Sequence, residues 1–143
     1  MTPRGGSDAG PLAAITDWPV AHAAACVVDR DGVRWTFGYL DRPFPLASVT
    51  KPLVATATLL AVEERSLDLD QAAGPEGSTV AHLLAHASGL GLAGRTLARP
   101  GRRRIYSNTG YEVLGEAMEA ATGMGVADYL EEGVLGPLGM TSR

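Results

Sequence analysis

Lysine is almost missing from this chain: eleven of its twelve basic residues are arginine, and the exception is Lys51. Arginine keeps its proton in a protein, so any step that needs a basic amine falls to that one side chain. Cysteine is equally scarce. Cys26 stands alone, which excludes an intrachain disulfide, and its apolar neighbourhood, Val20 to Val28, suggests a small buried core residue. Long hydrophobic runs are lacking too. A membrane span needs about 18 apolar residues, and the longest candidate, Leu53 to Val62, falls short, so no membrane role is expected. Strong charge of either sign is also absent. The formal net charge is −4 and the one dense basic run is Arg102-Arg103-Arg104, which argues against a nucleic-acid partner. The first ten residues lack the charged start, apolar centre and small-residue cleavage site of a secretory signal, so the expected location is cytoplasmic.

What remains is 143 residues with 45% apolar content, enough for one globular core. Residues 1–18, polar and rich in glycine, are expected to form a flexible N-terminal arm. Val20 to Val28 and the alternating Val33, Trp35 and Phe37 flank Asp29-Arg30-Asp31-Gly32, a strong turn signal. The expectation is a β-hairpin with strands near 22–29 and 33–38. The rest reads as helical. A largely buried helix follows Pro52. A short one, capped by Ser78 or Thr79, reaches about Ala87, an amphipathic one runs from Thr109 to Ala121 with Gly123 as its stop, and a last one covers 126–132.

The first chemical signal is Ser48-Val49-Thr50-Lys51, directly before Pro52. Residues three apart in a helical turn share a face, which sets a hydroxyl beside an amine. A helix start also offers positive dipole density that favours an alkoxide. The plain alternative is a helix start with a surface lysine.

Other patterns are weaker. Gly89-Leu90-Gly91-Leu92-Ala93-Gly94 fits a dinucleotide fingerprint in spelling alone, because a helix instead of a strand precedes it. His82 and His86 are four apart, yet no third ligand lies nearby, and core or capping roles suit them better. Ser88 lacks the glycine that a nucleophile elbow requires two positions earlier. Neither a cofactor nor a metal is therefore expected.

The second signal is Tyr106-Ser107-Asn108, ahead of the amphipathic helix. Together with Leu46 to Pro52, Leu67-Asp68-Leu69-Asp70, His82 to Leu90, Pro100-Gly101 and Pro137-Leu138-Gly139-Met140, it makes the chain resemble the serine β-lactamase and penicillin-binding-protein-like family, in particular its class C β-lactamase and esterase branch. The resemblance covers nearly everything from about residue 22 onward. It implies an α/β (α+β) serine hydrolase fold, with residues 19–143 as the N-terminal part of the hydrolase domain: a hairpin plus a helical region, lacking the C-terminal strands.

By the same resemblance Ser48 is the acylated nucleophile, Lys51 its partner, Tyr106 the general base and Asn108 the residue that fixes Lys51 and the substrate's carbonyl side. An adjacent cation lowers a phenol's pKa, which suits Tyr106 to the task. Which of Lys51 and Tyr106 takes the first proton stays open. The implied substrates are small esters, amides or β-lactams. The family's third element, Lys or His followed by Ser or Thr and Gly, does not occur after Asn108. The expectation is therefore a truncated hydrolase, or else a catalytically incompetent module that binds a partner or needs a partner chain to complete the fold.

Overall fold

The computed structural model describes residues 10–140, which separate into two compact units, one ending at Phe44 and one beginning at Pro45. The first contains a 3₁₀ helix, Gly10–Asp17, and an antiparallel pair, β1 (Ala24–Asp29) and β2 (Gly32–Gly38). Most of the arm expected over 1–18 is thus either helical or, for residues 1–9, outside the described residues. The hairpin turn is made by Asp29, whose Oδ1 accepts from the Asp31 N–H at 2.8 Å, and by Gly32 at φ 120, a conformation that only glycine adopts without strain. Arg34 then bridges Asp29 and Asp31.

Register runs from Ala24 opposite Gly38 to Asp29 opposite Gly32, with a bulge between Val27 and Val28. Cys26, opposite Thr36, is exposed, contrary to the expected core position. The reason is architectural. The sheet has only two strands among the described residues of its unit, and Val28, Val33 and much of Trp35 are exposed as well.

The second unit is helical. A 3₁₀ turn, Ala47–Val49, leads into α1 (Thr50–Glu63), followed by α2 (Val80–Leu84), α3 (Asn108–Thr122), α4 (Val126–Leu130) and a π-helical turn, Glu131–Leu135. Val54, Ala57 and Ala61 of α1 meet Val80 and Leu83 of α2, Leu114 and Met118 of α3, Tyr129 of α4 and Val134 in one core. Each fully buried side chain of leucine size contributes about 1.5–3 kcal/mol, and Leu83, Leu114 and Met118 are in that class.

Helix α1 departs from the expectation that most of its sides are covered. Leu59 is half exposed, while Thr58 is wholly buried, its Oγ1 donating to the Val54 carbonyl at 2.8 Å and lying 3.0 Å from Met118 Sδ. That back-bond to the preceding turn lets a polar residue occupy a core position. Leu67 is buried and Leu69 packs at the core margin, tacking down the loop after α1 as expected.

Helix α2 stops three residues before the expected end because the chain turns left-handed. Thr79 caps it, its hydroxyl facing the His82 N–H and its own N–H donating to His82 Nδ1 at 3.3 Å. At the other end the His86 N–H donates to the Leu83 carbonyl and the Ala87 N–H to the His82 carbonyl, with His86 at φ 57. This bond pair closes a helix through a left-handed residue, normally glycine. A histidine there carries a backbone cost of about 1 kcal/mol. Helix α3 has ordinary ends: the Ser107 hydroxyl accepts from the Gly110 N–H at 2.8 Å, and Gly123 closes it at φ 70. Among the described residues no helix is long and apolar enough to cross a membrane.

Candidate active site

Ser48 lies in the 3₁₀ turn and Lys51 in the first turn of α1, with Pro52 just behind at a place where its missing N–H costs nothing. Ala47, directly before Ser48, is at φ 47, so the nucleophile candidate follows a strained residue. Lys51 Nζ is 3.4 Å from Ser48 Oγ, as residues three apart in a helical turn should be.

The other two residues are Tyr106, two positions before α3, and Asn108, the first residue of α3, which packs against α1. Tyr106 Oη lies 2.6 Å from Ser48 Oγ, the length of a short O–H···O bond. Lys51 Nζ donates to Asn108 Oδ1 at 2.8 Å and stands 4.9 Å from the Tyr106 ring centroid and 5.7 Å from that of Tyr111. All four residues singled out by the sequence thus meet around one hydroxyl. Ser48, Lys51 and Asn108 line an open cleft of about 480 Å³ whose walls also include Ala47, Thr50, Val54, Tyr111 and Glu112.

Electrostatics follow from this packing. The Lys51 ammonium, and after it the Ser48 hydroxyl, hold the Tyr106 phenol below its ordinary value. Lys51 itself is tethered by neutral acceptors, since the salt bridges found among the described residues join Arg30 and Arg34 to Asp29 and Asp31. The cation therefore remains available to a phenolate. Tyr111 shifts upward through burial, and its hydroxyl donates to the Leu84 carbonyl at 3.2 Å.

Residues set aside in the sequence take structural places. His82 belongs to the α2 cap. Ser88 is buried beside its own turn, its Oγ facing the Leu90 N–H at 3.4 Å. Gly89-to-Gly94 forms an irregular hairpin, with Leu90 opposite Thr96 and Gly89 pressed so close to the Ala98 carbonyl that a Cβ would lie 2.1 Å from it. No strand precedes it, so it is no dinucleotide loop. Among the described residues no group of three or more His, Cys, Asp or Glu is arranged to hold a metal ion.

One residue has a larger place here than its sequence context suggested. His86 is buried with its ring between Tyr106 and Tyr111, at centroid distances of 4.7 and 5.0 Å. Burial first, then Arg104 and Lys51, lower its pKa. In the sequence His86 reads only as a core or capping histidine near the end of a short helix expected to reach Ala87.

Known proteins resemble this chain over most of its length. A family model described as beta-lactamase matches residues 16–142. The solved structure of a beta-lactamase from Mycobacterium bovis is 52% identical, superposes with a TM-score of 0.89, and covers 92% of this chain with 49% of its own length. A D-amino acid amidase from Ochrobactrum anthropi, solved with L-phenylalanine amide, is 25% identical with a TM-score of 0.68, over 82% of this chain and 45% of that one. Penicillin-binding protein 4* of Bacillus subtilis is 29% identical over 151 residues, covering 73% of this chain and 33% of that protein. The chain thus spans a third to a half of the length of these relatives.

Proposed function

This chain belongs to the beta-lactamase family, and on that premise we propose that it acts as a serine hydrolase, forming an acyl-enzyme on Ser48 with esters, amides or β-lactams. The observation that carries the reading is the pair of distances around Ser48 Oγ, 2.6 Å to Tyr106 Oη and 3.4 Å to Lys51 Nζ. The shorter one favours Tyr106 as first proton acceptor. As Oγ adds to the substrate's carbonyl carbon, its proton passes to the Tyr106 phenolate. The tetrahedral adduct then collapses, the bond from carbon to the leaving oxygen or nitrogen breaks, and that atom takes the proton from Tyr106. Water next adds to the acyl carbon, Tyr106 relays one of its protons to Ser48 Oγ, and the acid leaves.

Lys51 makes this possible at moderate pH by stabilising phenolate. Asn108 holds Lys51 through Oδ1 and keeps an amide N–H for the substrate, because an amide both accepts and donates. The relatives named as beta-lactamase and amidase support C–N bond cleavage; esters follow from the same acyl chemistry. The test is hydrolysis of nitrocefin beside a p-nitrophenyl ester, with Ser48→Ala as control. Turnover of either substrate that vanishes in the variant supports the reading, and turnover that persists in it refutes it.

A second reading draws on the openness of the cleft. Ser48, Tyr106 and Asn108 are all exposed, and no Lys/His-Ser/Thr-Gly element follows Asn108 in these 143 residues. Removing one oxyanion donor costs about 10²–10³ in turnover. In this reading the chain is incompetent by itself and a partner chain supplies the facing wall. Activity that appears only on adding such a chain separates the two readings.

A further inference from the structure

We propose that His86 is a positioning residue for Tyr106, holding the phenol over Ser48 only while its imidazole is neutral. The proposal rests on the reading of Ser48 and Tyr106 given above. The two residues flanking Tyr106 are both bonded to His86: the Ile105 N–H donates to its carbonyl at 2.7 Å, and the Ser107 N–H donates to its Nδ1 at 3.2 Å. Its ring lies against the Tyr106 ring with the planes tilted by 34°. Ser107 is fixed from the other side, where its hydroxyl donates to the Gly91 carbonyl and accepts from the Gly110 N–H, both at 2.8 Å. The segment that aims Tyr106 is therefore clamped, and one of its jaws is an imidazole nitrogen.

A nitrogen that accepts from a backbone N–H carries no proton, so the neutral ring has its hydrogen on Nε2. Protonation would turn Nδ1 into a donor facing another donor and leave the buried Ser107 N–H unpaired, a costly arrangement. The charged and titratable groups facing the ring are Lys51 from α1, Tyr111 from α3, and Tyr106 and Arg104 from the segment before α3. On its own element His82 is turned to Thr79. The two cations and burial all oppose a proton on His86.

The left-handed backbone at His86 points the same way. Glycine would end α2 without strain, yet glycine could neither accept from Ser107 nor pack on Tyr106. Backbone strain of this kind persists where the surroundings fix it, and here the side chain serves the Tyr106 segment.

Two variants separate positioning from mere packing. His86→Asn tolerates the left-handed backbone and places an amide oxygen where Nδ1 was, without a titrating proton. His86→Gly relieves the strain and removes the acceptor. The rate of Ser48 labelling by a fluorophosphonate is measured against pH, with the Tyr106 Cζ and Ser107 amide NMR shifts followed in the same samples. A phenolate-dependent rate falls about tenfold per pH unit on the acid side. In the wild type the fall should steepen to about a hundredfold per unit below the His86 midpoint, because two groups are then lost together.

His86→Asn should keep the single slope, and His86→Gly should label at least about tenfold more slowly throughout while its Tyr106 midpoint returns toward 10. The same steep limb in His86→Asn, or wild-type labelling in His86→Gly, overturns the proposal. Should the wild type not label at any pH, the hydrolase reading fails, and the NMR shifts still judge this one. A Ser107 amide shift that follows His86 titration, with Tyr106 moving in step, upholds it. Shifts indifferent to His86 overturn it.

Discussion

Lys51 Nζ donates to Asn108 Oδ1 across 2.8 Å, joining the first turn of α1 to the first turn of α3 over 57 residues of sequence. This bond sets where the cation stands relative to Tyr106. A hydrogen bond to a charged group contributes about 1.5–3 kcal/mol, so Asn108→Ala should slow fluorophosphonate labelling of Ser48 by about ten- to a hundredfold. An unchanged rate would mean that Lys51 is placed by something else.

Exchanging the cation should matter more than its charge suggests. Lys51→Arg keeps a positive charge but replaces a compact ammonium that reaches both Asn108 Oδ1 and Ser48 Oγ with a broad planar guanidinium, so labelling should be suppressed. Tyr106→Phe leaves the ring contacts with His86 and Lys51 and deletes the proton acceptor, and the loss should be about 10²–10⁴-fold. Full labelling in either variant would contradict the role given to that residue.

The pH profile carries a sign. In the proposed mechanism Tyr106 reacts as phenolate, and its pKa is lowered chiefly by Lys51. The ester hydrolysis rate should therefore rise with pH and level off below 10, the ordinary phenol value. Lys51→Ala removes the larger cause, so the plateau should move upward toward 10 and activity near neutrality should fall. A plateau that stays in place would show that Tyr106 is not the titrating group.

A second tyrosine gives a stability test away from the site. Tyr129 is buried, its hydroxyl donates to Glu64 Oε2 at 2.6 Å, and burial first, then Glu64, push its pKa up to about 12. Its ordinary value is about 10. Between those limits the unfolded chain loses the proton while the folded chain keeps it, so the contribution is complete below about 10 and is lost as pH rises toward 12. In urea titrations the stability gap between wild type and Tyr129→Phe should shrink over that window. A gap independent of pH would refute the assignment.

Core packing is tested most simply at Leu114, which is wholly inaccessible to solvent. Leu114→Ala should destabilise by about 2–5 kcal/mol in urea denaturation. A loss well below that range would mean that the second unit is loosely packed.

Local signals in the sequence were enough for the elements that local chemistry decides. Asp29-Arg30-Asp31-Gly32 announced the hairpin, Gly123 marked the end of α3, and Ser48, Lys51, Tyr106 and Asn108 carried their own spacing and order. What stayed hidden depends on neighbours. Cys26 read as a core residue because its strand is apolar, but its sheet has only two strands among the described residues of its unit. Thr58 enters the core in place of Leu59 through its back-bond to Val54, which the apolar pattern of α1 does not show. His86 is the clearest case: its importance lies in bonds to Ile105 and Ser107, about twenty residues away. No periodicity could announce them.

The central claim is that Tyr106 and Lys51 activate Ser48 and no other hydroxyl. Intact-mass analysis of the folded chain after a fluorophosphonate, followed by peptide mapping, tests it most directly. One adduct on Ser48, absent from Ser48→Ala and strongly reduced in Tyr106→Phe, is the expected result. No adduct, or adducts spread over other serines such as Ser66 and Ser88, would contradict it.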